Sequence, residues 1–145
     1  MNERLRRRAL LLDRACSFIE QAINSISYAL VPPDRLICDF KDDTDFFAGC
    51  RKDIEKTGNV HSAWQCAMKK SRDAEALNRE ERKLLEQLGQ SLGIYDSQGQ
   101  LDVLRRFEAE FTSARQTARR ELCERSKTHM TCSLLTGVLI AIIII

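Results

Sequence analysis

From Leu5 to Leu30 the residues Leu5, Ala9, Leu12, Cys16, Ile19, Ile23, Ile26 and Leu30 recur at alternating steps of four and three. An α-helix gathers a pattern of period 3.5 on one side. Leu11, Phe18, Ala22 and Ala29 widen that stripe into a face broad enough for a bundle core. A helix with such a face cannot bury it alone, so the rest of the chain must supply its cover. Pro32 and Pro33 stop the helix, because proline lacks the N–H the ladder needs.

Helices are also what the remaining sequence offers. Only two prolines and six glycines occur in 145 residues, too few turn signals for a β protein. Between Asp34 and Gly58 a short helix is expected around Phe46 to Lys56, with Leu36, Ile37, Phe40, Phe46, Phe47 and Ile54 buried. Gly58-Asn59 ends it. A further helix is read from Val60 to about Ala76, burying Val60, Trp64, Ala67 and Met68. Asn78 with Glu81 three positions on has the form of a capping box, opening a helix with the stripe Leu84, Leu85, Leu88, Leu92. Gly93 is placed to end that helix. A last helix from near Gly99 carries Leu101, Leu104, Phe107, Phe111, Ala114, Ala118 and Leu122. The expected fold is all-α, a bundle of about five helices with a C-terminal transmembrane helix. The first and last soluble helices pack antiparallel in it.

The transmembrane expectation rests on Met130 to Ile145, which carries no charge and ends in four isoleucines. A core helix would show a polar face, and beyond Leu134 only Thr136 is polar. The anchor is read on Leu134, Leu135, Gly137, Val138, Leu139, Ile140, Ile142, Ile143, Ile144 and Ile145. As a helix the segment reaches roughly 24 Å against a hydrocarbon core of about 30 Å, a marginal span. Residues 1 to 129 then form a helical domain and 130 to 145 the membrane segment.

Charge is balanced overall, at +2, which gives no field that would favour nucleic acid as a partner. Its distribution is uneven. Residues 1 to 14 hold five arginines (Arg4, Arg6, Arg7, Arg8, Arg14) against two acids, and residues 115 to 129 hold five basic residues against two, so each end is +3. Arg4, Arg6, Arg7, Arg8, Arg119, Arg120, Arg125 and Lys127 are read as a membrane-proximal basic set. Positive flanks stay on the cytoplasmic side, so the helical domain is expected to face the cytoplasm. The six cysteines form no CxxC pair and fall mostly at core-like positions, which fits a reducing compartment.

Nothing in the chain points to catalysis. His61 and His129 are far apart, with no Cys or carboxylate at ligand spacing. Asp39, Asp42, Asp43 and Asp45 lack the glycine and terminal glutamate of a calcium loop and read as a solvated acidic face. No GxxxxGK[ST], GxGxxG or GxSxG occurs. Buried carboxylates such as Glu20 or Glu81 are the remaining acid-base candidates. No cofactor, metal or small-molecule substrate is expected, and the chain is read as no enzyme.

The segment from Leu88 to Gln100, Leu-Gly-Gln-Ser-Leu-Gly-Ile-Tyr-Asp-Ser-Gln-Gly-Gln, resembles the LG-x-x-LG-x-x-D-x-x-x-Q stretch of the stage III sporulation protein AB family. Its carriers here are Leu88, Gly89, Leu92, Gly93, Asp96 and Gln100. Ala63-Trp64, the long charged helix, Lys127 and Gly137 are similar as well. The resemblance implies a helical relative of the F-type platform proteins of type II secretion. It further implies a component of the channel between mother cell and forespore, in the mother-cell membrane facing the forespore. The partners it implies are the secretion-type ATPase, stage III sporulation protein AA, and other channel components. Members of that family usually carry a transmembrane helix immediately before an arginine stretch like Arg4 to Arg8. Either the start lies too far downstream here, or this member has the tail alone.

Two functions are therefore expected from the sequence: a membrane-anchored scaffold docking an ATPase to a secretion-like channel, or a tail-anchored adaptor or regulator unrelated to sporulation.

Overall fold

The computed structural model describes the backbone of residues 2–42 and 44–144 and the side chains of residues 3–42 and 44–125. Among these residues the fold is all-α, with seven helices: α1 (Asn2–Tyr28), α2 (Pro33–Asp39), α3 (Asp45–Thr57), α4 (Val60–Lys70), α5 (Arg72–Glu75), α6 (Arg79–Ser91) and α7 (Ser97–Ile144). The all-helical reading holds, but the count of about five was too low, for two local reasons. Pro33 does more than prevent α1 from continuing; it occupies the first turn of α2, where its missing N–H would have no helical partner. The helix read as running from Val60 to Ala76 is broken at Ser71, whose extended backbone ends α4 while its hydroxyl accepts from Ala74 N–H to cap α5.

The main pairing is α1 against α7. Its direction is antiparallel, because the beginning of α1 meets residues near 120 (Arg8 with Glu121, Asp13 with Arg119). The end of α1 meets the beginning of α7, where Ile26 and Gln100 line one cavity. The stripe of α1 is buried from Ala9 to Ile26, except for Ile23, which is half-buried. It does not reach its last member: α1 ends at Tyr28 and Leu30 is 84% exposed.

Helices α2 to α6 cover the other side of α1. All six apolar residues picked out between Asp34 and Gly58 are buried, and Trp64 is 2% exposed. Phe18, Phe40, Phe46, Phe47 and Trp64 form one aromatic cluster, with ring centroids 4.9 to 6.1 Å apart and several edge-to-face pairs. Gly58 ends α3 in the left-handed conformation, Asn59 caps α4 and the Asn78–Glu81 capping box opens α6.

The acidic face expected at Asp39 to Asp45 is not simply solvated. Asp42 is buried, where it accepts from Thr44 and pairs with Arg14. The Asp45 carboxylate accepts from Arg72 N–H, and the Asp73 carboxylate accepts from Asp45 N–H. These carboxylates cap helices α3 and α5, while Asp43 lies outside the described residues.

Helix α7 runs 48 residues without a break, about 72 Å. Among the described residues no helix is long and apolar enough to cross a membrane. Lys127 and the side chains of the tail, from Leu134 to Ile145, lie outside them.

Candidate functional site

Two regions collect the residues singled out in the sequence. The first is the corner between α6 and α7, built by Leu88 to Gln100. Leu88 and Leu92 are buried anchors. Gly89 has a specific task, because a Cβ there would lie 2.2 Å from Trp64 Cδ1 and 2.3 Å from its Nε1. The indole rests on the bare backbone of α6 and donates its N–H to Leu85 C=O at 2.9 Å. Gly93 turns the chain with φ +81°, a conformation open to glycine, and its N–H donates to Gln100 Oε1 at 3.1 Å. Asp96 Oδ1 accepts from Gly99 N–H at 2.8 Å, so α7 is capped by Asp96 and starts at Ser97, slightly earlier than Gly99. Gln100 is buried, and its Nε2 has no hydrogen-bond partner. Every member of the motif thus shapes the corner.

The second region is the opposite end of the bundle, where both basic segments lie together as the antiparallel pairing requires. The arginines there do not share one role. Arg4 and Arg6 are exposed. Arg7 pairs with Glu3 one turn earlier, an exposed pair that holds the Glu3 carboxyl below its usual range. Arg8 is buried: its Nε donates to Glu81 Oε1 at 2.7 Å and Oε2 at 3.0 Å, and it also holds Glu121. Glu81 Oε1 accepts from Asn78 N–H as well, at 3.0 Å. Hydrogen bonding to Glu81 pushes the Arg8 guanidinium up, and the trio joins the beginnings of α1 and α6 to α7. Arg119 is held by Asp13, while Arg120 and Arg125 are exposed.

Among the described residues no group of three His, Cys, Asp or Glu side chains could hold a metal. His61 lies with Nε2 3.1 Å from Leu92 C=O. Glu81 is committed to Arg8 and the helix cap, and Glu20 is exposed. The described cysteines, Cys16, Cys38, Cys50, Cys66 and Cys123, are free, and burial pushes the Cys16 and Cys50 thiols up.

The family profile described as stage III sporulation protein AB matches residues 1–145. The chain belongs to the stage III sporulation protein AB family. That membership makes it a sporulation protein and sets aside an adaptor unrelated to sporulation. A solved structure of a stage III sporulation protein AB has the same fold, with a TM-score of 0.64 at 17% identity over 81% of this chain and 97% of that one. No curated protein matches the chain.

The buried ion trio is hidden in the sequence, since Arg8 sits in a run of arginines that reads as solvated and Glu81 is 73 positions away. The available signal was its phase: Arg8 lies four before Leu12 and three after Leu5, on the buried stripe of α1.

Proposed function

We propose that this chain is a non-enzymatic, membrane-anchored component of the mother cell to forespore channel in endospore formation. In this reading Leu134 to Ile145 hold it in the mother-cell membrane facing the forespore, and the helical domain in the cytoplasm docks the secretion-type ATPase, stage III sporulation protein AA. The observation that carries the reading is α7 itself: one helix leaves the bundle of a sporulation-family protein and runs without a break into the uncharged tail. The antiparallel α1 supports it by bringing the exposed Arg4 and Arg6 level with Arg120 and Arg125, a basic collar suited to anionic headgroups.

Detergent extracts of sporulating cells test the reading. The full chain should co-purify with the ATPase and fractionate with membranes. No association in those extracts would overturn the docking role, and a chain found in the soluble fraction would overturn the anchor.

A further inference from the structure

We infer that the end of the bundle farthest from the tail is a docking face for a protein segment bearing an aliphatic or aromatic side chain flanked by lysine or arginine. The inference deepens the function proposed above and rests on it only for the identity of the partner.

Large apolar side chains in this fold are buried with few exceptions, and the exceptions gather in one place. Of the five that are exposed among the described residues, four lie at this end: Tyr28 at 91%, Leu30 at 84%, Ile94 at 64% and Tyr95 at 49%. A patch of this kind on an otherwise well-covered bundle marks an interaction surface. Tyrosine is also the residue type that interfaces favour.

The patch has depth. Leu30 and Tyr95 line a cavity of about 320 Å³ that also includes Ile26, Leu36 and Leu92. Gln100 is part of its wall. Across the turn, Ile94 lines a second cavity of about 250 Å³ beside Trp64 and Gly89. The Gly93 turn is therefore a ridge between two apolar hollows.

The surrounding charge selects the occupant. Asp96 lines the first cavity and Glu86 the second, and neither wall holds a lysine or arginine. An apolar centre with an acidic rim is complementary to an apolar anchor with basic neighbours. A second copy meeting this face with its own would set two acidic rims together. The chain's own tail is carried away by α7, whose last residue is roughly 66 Å along the helix from Gln100.

The test is site-directed photocrosslinking of the full chain in sporulating cells, with a photoreactive phenylalanine analogue replacing Ile94 and, as a control, Thr117. Thr117 is exposed about 25 Å further along α7. Position 94 should capture a peptide of another protein that carries an apolar residue with lysine or arginine beside it. Leu30→Glu with Tyr95→Glu should reduce that product and the spore yield at least tenfold. Both residues are exposed, so unchanged thermal unfolding should accompany the loss. A crosslink to lipid, to a second copy or to nothing, the same product from position 117, or an undiminished product in the double variant would each overturn the inference. Capture of a different basic-flanked protein, lost in the double variant, would keep the docking face and place any ATPase contact elsewhere on the chain. Co-purification of the ATPase unaffected by the double variant would keep the ATPase-docking reading and overturn the ATPase as the occupant of this face.

Discussion

An alanine at position 89 would place its Cβ 2.2 Å from Trp64 Cδ1. Alanine in a helix ordinarily gains about 1 kcal/mol over glycine, so the sign of this substitution depends on whether the indole can retreat. It is enclosed by Phe18, Phe46 and Phe47 and tethered to Leu85 C=O. Gly89→Ala is therefore expected to lower stability by about 1–3 kcal/mol, as overpacking does. Trp64 is the only tryptophan, so urea unfolding followed by its fluorescence checks the loss, and a shifted native emission would accompany it. Arg8 presents the other residue-scale test. Arg8→Met strands Glu81 in a buried position and should cost about 3–5 kcal/mol. Adding Glu81→Gln keeps a side-chain oxygen for the Asn78 cap and removes the stranded charge. The double variant should therefore be more stable than Arg8→Met alone, which a double-mutant cycle by chemical denaturation reads directly.

At the scale of elements, α1, α3 and α6 were legible because each carries its own signals: a periodic stripe, a closing Gly58 and a capping box. The elements that were missed depend on residues with two meanings. Pro33 reads as a stop and is also the first turn of α2, and Ser71 ends α4 while it caps α5. In the corner, Gly93 and the capping chemistry of the turn could be read locally. The need for Gly89 could not, because it comes from Trp64 on another helix. The pairing of α3 with α5 through Asp73 and Asp45 was equally invisible, and it has a pH signature. Burial raises the Asp73 carboxyl above its ordinary value. A carboxyl with a raised folded-state pKa opposes folding when ionised, so this opposition is present at neutral pH. It fades as pH falls through the raised value and is gone below the unfolded one. Asp73→Asn keeps an oxygen for Asp45 N–H and should be as stable as the parent or more so at pH 7. That advantage should shrink toward pH 4 in thermal melts. Asp73→Ala, which removes the cap, should cost about 1 kcal/mol.

The bundle differs at its two ends, with the exposed arginines Arg4, Arg6, Arg120 and Arg125 at one and the exposed apolar residues Tyr28, Leu30, Ile94 and Tyr95 at the other. The two ends can be separated experimentally. Deleting residues 134 to 145 is expected to move the protein from the membrane to the soluble fraction of sporulating cells with its thermal unfolding unchanged, because the core lies between Ala9 and Ala118.

Because α7 passes from the bundle into the tail without a break, it also transmits rotation. Each residue of an α-helix advances the chain by about 100°, so one alanine inserted after Glu124 would swing every tail side chain about a quarter turn round the axis. Four inserted alanines would return them to within about 40° of their starting direction while moving them about 6 Å outward. If the tail presents a particular side to a neighbour in the membrane, spore yield should fall with one inserted residue and largely recover with four. In that event the bundle sets the angular phase of whatever α7 carries.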